Sequence, residues 1–78
     1  MERLEIESRL TEFFVTHSDY RPQADEDLFE SGALDSFGIV EFLSFIESEL
    51  GCEIPIDEIT AENFSTVRKV ADLILAQG

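Results

Sequence analysis

The side chain best placed to do chemistry in this sequence is the hydroxyl of Ser36. Ser36 follows Asp35 at the point where a turn-rich segment gives way to an apolar, helix-forming run. A serine in the first turn of a helix presents its oxygen beside unpaired backbone amides and the positive end of the helix dipole, which favour an anion such as a phosphodiester. The same serine could instead serve only as the N-terminal cap of the helix. Ser36 is therefore a candidate position for an anion, and its structural alternative is a plain helix cap.

Groups that would make this chain an enzyme are scarce. His17 is its single histidine, and no Cys or Ser partner can be assigned to it. Cys52 is its single cysteine, and we interpret it as a small buried residue, because Glu49 and Glu53 would raise the pKa of its thiol and oppose nucleophilic behaviour. The acidic residues do not follow the order of a calcium-binding loop. We expect no catalytic group and no specific metal site.

Two segments precede Ser36. A helix, helix I, is predicted over Glu2 to His17 from an amphipathic stripe. This stripe consists of Ile6, Leu10, Phe13 and Phe14. Turn-forming residues then fill the span from Ser18 to Ala33, which predicts a long irregular loop anchored to the core by Leu28 and Phe29. Long structured loops in small domains tend to be functional.

Helix II, which contains Ser36, is the most apolar segment. We predict that it begins at Leu34, Asp35 and Ser36 and ends at Leu50, with Gly51 as its stop. Its predicted core face consists of Ile39, Phe42, Leu43, Ile46 and Leu50. Three further apolar residues, Phe37, Val40 and Phe45, fall outside that face. Helix II is therefore either central in the bundle or in apolar contact with something else.

Two shorter segments complete the chain. A short helix or helical turns, called helix III, are predicted within Asp57 to Phe64, and helix IV should be capped by Ser65 or Thr66. The core stripe of helix IV is Val67, Val70, Ala71 and Ile74. The predicted fold class is all-α, a small four-helix bundle with three main helices, one short helix and a long loop between helices I and II. Residues 1–78 are expected to form a single domain.

The charge balance limits the classes of partner. Five Lys and Arg stand against eighteen Asp and Glu, which gives a net charge of −13. Such a surface repels nucleic acid and anionic lipid and attracts proteins with basic patches. The longest uncharged apolar run, Phe42 to Ile46, is far shorter than the ~20 residues of a membrane span. With no signal peptide at Met1, these features predict a cytoplasmic monomer without stable membrane insertion.

The residues around Ser36 resemble the acyl carrier protein family. The stretch Leu28 to Phe37 reads Leu-Phe-Glu-Ser-Gly-Ala-Leu-Asp-Ser-Phe, and it is followed by Glu47 to Gly51 and by Ile54-Pro55. In that family an Asp-Ser pair, usually followed by Leu, opens the second helix, and its Ser receives 4'-phosphopantetheine from coenzyme A. The resemblance covers essentially the whole chain, with Phe37 in place of the Leu. It implies a non-enzymatic carrier that holds acyl groups as thioesters on an arm attached to Ser36.

The resemblance also implies partners that bind helix II. These are a phosphopantetheinyl transferase and acyl ligases or synthases with basic docking patches. Family recognition by acidic residues carries over to Asp35, Glu41 and Glu47, although each could equally be an ordinary solvated charge. Phe37 and Val40 lie beside the attachment point and are candidates for apolar contact with a partner. Phe37 could alternatively fold back under the long loop.

Two classes of cargo are compatible with the sequence. The run Leu34 to Gly38 is similar to D-alanyl carrier proteins, which work with an adenylating ligase, whereas Ile59 to Thr66 resembles stand-alone acyl carriers. We favour the acyl carriers of fatty acid, polyketide or specialised lipid synthesis, although Gly38 and Ser44 depart from carriers of the main fatty acid pathway. A hypothesis of another class is an unmodified acidic helical adaptor.

Overall fold

The computed structural model describes residues 2–77 as α-helices joined by loops, with no strand in that span. The helices are α1 (Arg3–Ser18), α2 (Gly38–Leu50) and α3 (Val67–Gln77), with a short 3-10 helix, η1 (Ile56–Glu58), between α2 and α3. The predicted all-α bundle with three main helices and one short helix is confirmed. Met1 and Gly78, the ends of the predicted single domain, lie outside the described residues. No helix within residues 2–77 is long and apolar enough to cross a membrane.

The core is built around the ring of Phe42, which is fully buried on α2. Its centroid lies 5.0 Å from that of Phe13, 5.1 Å from that of Phe14 and 6.1 Å from that of Phe64. These separations fall within the range in which aromatic pairs attract one another beyond the burial of their area. Aromatic packing therefore joins α1, α2 and the segment before α3 around one centre.

The predicted core faces of α1 and α3 are confirmed, since every residue of both stripes is buried. On α2 only Phe42 and Ile46 are fully buried, while Ile39, Leu43 and Leu50 are half-buried at its edge. Phe45 was predicted to lie off this face, but it packs against the core with its ring centroid 5.2 Å from that of Phe13. The difference arises because α1 lies against that side of α2 and extends the buried surface around it.

The helix ends follow the predicted chemistry. α2 stops at Gly51, whose φ of 64° is left-handed and therefore suited to glycine. α3 is capped by Thr66, the second of the two predicted caps, because its Oγ1 accepts the N–H of Lys69 at 3.0 Å. α1 continues through Ser18, one residue beyond its predicted end, and Asp19 closes it with a φ of 53°.

Helix III consists of helical turns, one of the two predicted forms, and not of one continuous short helix. The structure has η1, which begins one residue before the predicted range, followed by a separate turn. This turn starts at Thr60, whose Oγ1 accepts the N–H of Asn63 at 3.1 Å and whose carbonyl accepts that of Phe64 at 3.1 Å. A threonine that caps a new turn interrupts the helix before it. The break brings the Phe64 side chain fully into the core.

Candidate modification site

The long loop before α2 is held in place by backbone hydrogen bonds to the start of α3. The N–H of Leu28 donates to the carbonyl of Ser65 at 2.7 Å, and the N–H of Arg68 donates to the carbonyl of Ala24 at 2.9 Å. Leu28 is fully buried and Phe29 packs against the core, as predicted for the anchors of this loop. The approach to Ser36 is therefore fixed by the rest of the bundle.

A tight turn within this loop, from Asp27 to Gly32, directly precedes the segment that leads into α2. The Asp27 carboxylate accepts the N–H groups of Phe29 at 3.0 Å and Glu30 at 2.9 Å, as in the first turn of a helix. Gly32, with a φ of 83°, ends the turn. The N–H of Leu34 then donates to the carbonyl of Leu28 at 2.9 Å, so the turn closes on itself directly before the Asp35-Ser36 pair.

Asp35 is the cap of α2. Its Oδ1 accepts the N–H of Gly38 at 2.7 Å, and its carbonyl accepts the N–H of Ile39 at 2.9 Å, which is the first helical hydrogen bond. The N–H of Val40 instead donates to the carbonyl of Phe37 at 3.2 Å, a tighter contact that delays the regular helix to Gly38. Helix II was thus predicted to begin slightly too early, although the chain is already coiled from Asp35.

Ser36 lies in this first turn and is exposed. The capping function that Ser36 could have served is carried by the Asp35 carboxylate. The Ser36 hydroxyl therefore faces solvent at the end of α2 where the backbone amides and the helix dipole favour negative charge. A phosphodiester formed on this oxygen would be stabilised by that field.

The other predicted partner residues follow Ser36 along the chain and are all exposed. Phe37 is 84% exposed and Val40 is 64% exposed, so neither is part of the core. The alternative in which Phe37 folds back under the loop is wrong. Glu41 and Glu47 are exposed as well. A large apolar ring that remains in water beside a candidate attachment point is typical of a contact surface.

The charged side chains of α2 are all acidic. Between Arg21 and Arg68 the sequence contains no basic residue. The basic residues of α1 and the loop pair within the bundle: Arg3 with Asp72, Arg9 with Glu5 at 3.2 Å, and Arg21 with Glu12 at 3.0 Å. No Lys or Arg of this chain therefore lies on α2 to neutralise Glu41 or Glu47.

The other two candidate side chains, those of His17 and Cys52, lie far from Ser36 in the sequence. His17 is exposed at the end of α1, where its ring stacks on Phe13 with a centroid distance of 4.3 Å. Cys52 is half-buried, and burial raises the pKa of its thiol. The pKa is raised, as predicted, but the cause is burial of the thiol and not the charge of the neighbouring carboxylates. Within residues 2–77 no three His, Cys, Asp or Glu side chains are grouped as metal ligands.

Comparison with known proteins places this geometry in context. The family model described as a phosphopantetheine attachment site matches residues 15–74. The D-alanyl carrier protein of Streptococcus pyogenes serotype M5 (strain Manfredo) is 36% identical over 69 residues, covering 86% of this chain and 87% of that protein. The D-alanyl carrier proteins of serotype M49 (strain NZ131) and serotype M1 match with the same identity and coverage.

Proposed function

Because this chain belongs to the phosphopantetheine-binding carrier family, whose members bear a covalent 4'-phosphopantetheine and are not themselves enzymes, we propose that Ser36 is its attachment residue. The observation that carries the proposal is the division of roles between neighbours. Asp35 caps α2, which leaves the Ser36 hydroxyl exposed and unused for capping. When attached, the arm supplies a terminal thiol that holds cargo as a thioester.

The residues of this chain fit such a group. Gly38 has no side chain, and a Cβ at that position would lie 3.2 Å from Asp35 Oδ1. The small residue thus allows the Asp35 carboxylate to remain over the helix end, where it accepts the Gly38 N–H and leaves Ser36 free of the capping role. In the transfer, the Ser36 oxygen loses its proton and forms a bond to the phosphorus of coenzyme A that is attached to pantetheine. The bond from this phosphorus to the bridging oxygen of the diphosphate breaks, and adenosine bisphosphate leaves. We propose that a base of the transferase accepts this proton.

Carriers of this family work with a phosphopantetheinyl transferase and with ligases. We propose that these partners contact the outer side of α2. Ser36, Val40 and Glu47 are spaced four and seven residues apart, which places them on one side of a helix. An apolar contact at Phe37 and Val40, on a helix whose charged residues are all acidic, suits a partner with an apolar pocket beside a basic patch.

The cargo we propose is a small aminoacyl group such as D-alanyl, activated by an adenylating ligase. The first support is that the relatives matching along most of the chain are D-alanyl carrier proteins. The second is the interior of the bundle, where Phe42 and Phe64 are fully buried against each other. A long acyl chain could enter between them only by displacing a buried ring, which is unfavourable in a densely packed core.

The attachment is tested by incubating the chain with coenzyme A and a transferase of broad specificity and measuring the intact mass. We expect a gain of one phosphopantetheinyl group, lost in Ser36→Ala while the helical circular dichroism is unchanged. Retained modification in that variant would disprove the assignment of Ser36. No modification of the wild type would favour the unmodified acidic adaptor. Parallel incubations of the modified chain with ATP and a D-alanine-activating ligase, or with a fatty acyl ligase, then separate the two cargo classes by mass.

A further inference from the structure

The segment that leads to the attachment site is closed by one side chain, that of Asp27. Its Oδ1 accepts the N–H groups of Phe29 at 3.0 Å and of Glu30 at 2.9 Å. Its backbone carbonyl accepts the N–H of Ser31 at 3.0 Å. Three successive amides are therefore bonded to Asp27, two of them to its carboxylate. We call residues 27–32 the Asp27 turn.

Both ends of the Asp27 turn are fixed to the rest of the chain through Leu28. The N–H of Leu28 donates to the carbonyl of Ser65 at 2.7 Å, and its carbonyl accepts the N–H of Leu34 at 2.9 Å. Leu28 and Leu34 are both buried, with 0% and 2% of their surface exposed. Asp35 and Ser36 follow Leu34 directly. The backbone of Leu28 therefore connects the segment before α3 with the residue that precedes the Asp35-Ser36 pair.

Ser36 depends on this connection because it precedes the regular part of α2, which begins at Gly38. On the side of the helix, the backbone around Ser36 is fixed by the Asp35 cap, whose Oδ1 accepts the Gly38 N–H at 2.7 Å. On the other side, it is fixed by the N–H of Leu34, which is bonded to Leu28. A rearrangement of the chain between Leu28 and Leu34 therefore acts on the backbone two residues before Ser36.

The Asp27 carboxylate restrains the outer part of the turn, which the core does not. Glu30, Ser31 and Gly32 are exposed, so no core packing fixes them. Gly32 has a φ of 83°, and glycine is the residue type that loses the most backbone freedom when it is ordered. Asp27 forms no ion pair with any residue of the described span 2–77. Its carboxylate therefore acts on the turn through hydrogen bonds and not through a paired charge.

We propose that Asp27 is a positioning residue for the transfer of phosphopantetheine to Ser36, a proposal that rests on attachment at that serine. The carboxylate keeps the Asp27 turn closed, and this keeps Leu34 and the two residues after it in one arrangement before the transferase binds. The reaction requires the Ser36 oxygen to meet phosphorus at a defined distance and direction, and a misplacement of ~1 Å can cost about 10²-fold in rate. Because the carboxylate bonds to backbone amides of its own turn, Asp27 acts on Ser36 through the chain.

Steady-state modification of Asp27→Ala by the transferase tests this, with the concentration of the carrier varied and the product measured by intact mass. We expect kcat to fall about tenfold while KM stays near wild type, because the Ser36 oxygen is misplaced more often and the docking residues of α2 are unchanged. Hydrogen exchange at the amides of Phe29 and Glu30 should become faster, which would show that the turn has opened. The wild type and Ser36→Ala are measured beside this variant, so that a failure of the attachment itself is seen separately.

Three further variants separate positioning from charge and from stability. Asp27→Asn keeps an oxygen that can accept both N–H groups and removes the charge, so its kcat should be near wild type. Asp27→Glu keeps the charge but displaces the carboxylate by one methylene group, so its kcat should stay low. Ile6→Val removes a methyl group from a buried side chain beside Gly51, at the end of α2 opposite Ser36. It should lower the melting temperature and leave kcat unchanged.

Each other outcome overturns the proposal. If Asp27→Ala is modified at the wild-type rate, the turn does not position Ser36, and the attachment still stands. If Asp27→Asn is as slow as Asp27→Ala, or Asp27→Glu is as fast as wild type, the charge is responsible and the turn is not. If KM rises and kcat is unchanged, Asp27 belongs to the docking surface.

Two further results would also decide against a positioning role. If Ile6→Val is as slow as Asp27→Ala, or if circular dichroism shows Asp27→Ala to be unfolded, the carboxylate serves the stability of the fold alone. If the wild type gains no phosphopantetheinyl group, the proposed function is wrong as well, and the intact mass of the wild type identifies this case.

Discussion

The Asp35 carboxylate and the backbone of Gly38 are in closer contact than most side chains would allow. Oδ1 of Asp35 accepts the Gly38 N–H at 2.7 Å, and a Cβ on residue 38 would lie only 3.2 Å from that oxygen. The contact fixes the first turn of α2 while leaving Ser36 in solvent. Asp35 was predicted as a partner residue, and its carboxylate has this structural function in addition to any effect on docking.

Replacing Asp35 should separate these two roles. Asp35→Ala removes the cap and should lower the free energy of unfolding by about 1 kcal/mol, which corresponds to roughly 4–8 °C in the melting temperature of a domain of this size. Asp35→Asn keeps an oxygen that can cap the helix and removes the charge, so its stability should stay near wild type. Thermal unfolding followed by circular dichroism measures both.

The transferase rate completes that comparison. If the Asp35 charge also attracts the enzyme, Asp35→Asn should be modified more slowly than wild type despite its normal stability. If Asp35→Ala is as stable as wild type, the hydrogen bond to Gly38 does not cap α2 in solution and the division of roles with Ser36 fails.

Much of the fold could be predicted because it depends on periodicity. The stripes of α1 and α3 repeat at the helical period, and Gly51 and Thr66 are residue types that end or begin helices. The features that could not be predicted depend on residues that are close in space and distant in sequence, or on single side-chain hydrogen bonds. The burial of Phe45 is set by where α1 packs, and the break before Phe64 is set by a hydroxyl contact of Thr60. Neither contact leaves a periodic trace in the sequence.

For the candidate site, too, some features could be predicted from the sequence and others could not. The position of Ser36 at the head of α2 follows from the turn residues before it and the apolar run after it. The sequence alone could not decide whether Asp35 or Ser36 caps the helix, because both are good capping residues. The exposure of Phe37 was equally undecided, since a pattern does not place a loop over a side chain. The stacking of His17 on Phe13 gives no signal beyond a spacing of four residues.

Phe37 should matter for partners and not for stability. Because its side chain is 84% exposed, Phe37→Ala should leave the melting temperature near wild type and slow both modification by the transferase and loading by the ligase. Phe42→Ala is the matched control, since the same change in a fully buried ring should cost about 3–5 kcal/mol. Thermal unfolding and single-turnover loading of the modified chain give the two readouts. A large loss of stability in Phe37→Ala with normal loading would contradict the recognition role.

The Cys52 thiol should react slowly while the chain is folded. Its pKa is raised by burial, so at a given pH less of the reactive thiolate is present in the folded than in the unfolded state. We expect the alkylation rate to rise with pH along a curve displaced to higher pH in the native protein relative to the same protein in urea. Intact mass after timed exposure to iodoacetamide measures this. Coincident folded and unfolded curves would show that burial does not protect the thiol.

Docking at α2 should be electrostatic, and reversing two of its charges should weaken it. Glu41→Lys/Glu47→Lys places two cations on exposed positions of α2, which contains no basic residue. Basic partners would be repelled, and the second-order rate of modification should fall. The control Glu2→Lys/Glu53→Lys makes the same change in net charge at exposed positions off α2 and should have a smaller effect. Circular dichroism confirms that both double variants are folded.

Salt should act on the same encounter. Screening over ~8 Å at physiological ionic strength weakens attraction between exposed charges, so the wild-type rate should fall as salt is added. The α2 double variant has lost this attraction, and its rate should be flat or should rise with salt as repulsion is screened. The control should follow the wild-type slope. Equal rates for all three proteins at low salt, with no dependence on added salt, would show that the carboxylates of α2 do not direct docking and would leave the apolar contact of Phe37 and Val40 as its main determinant.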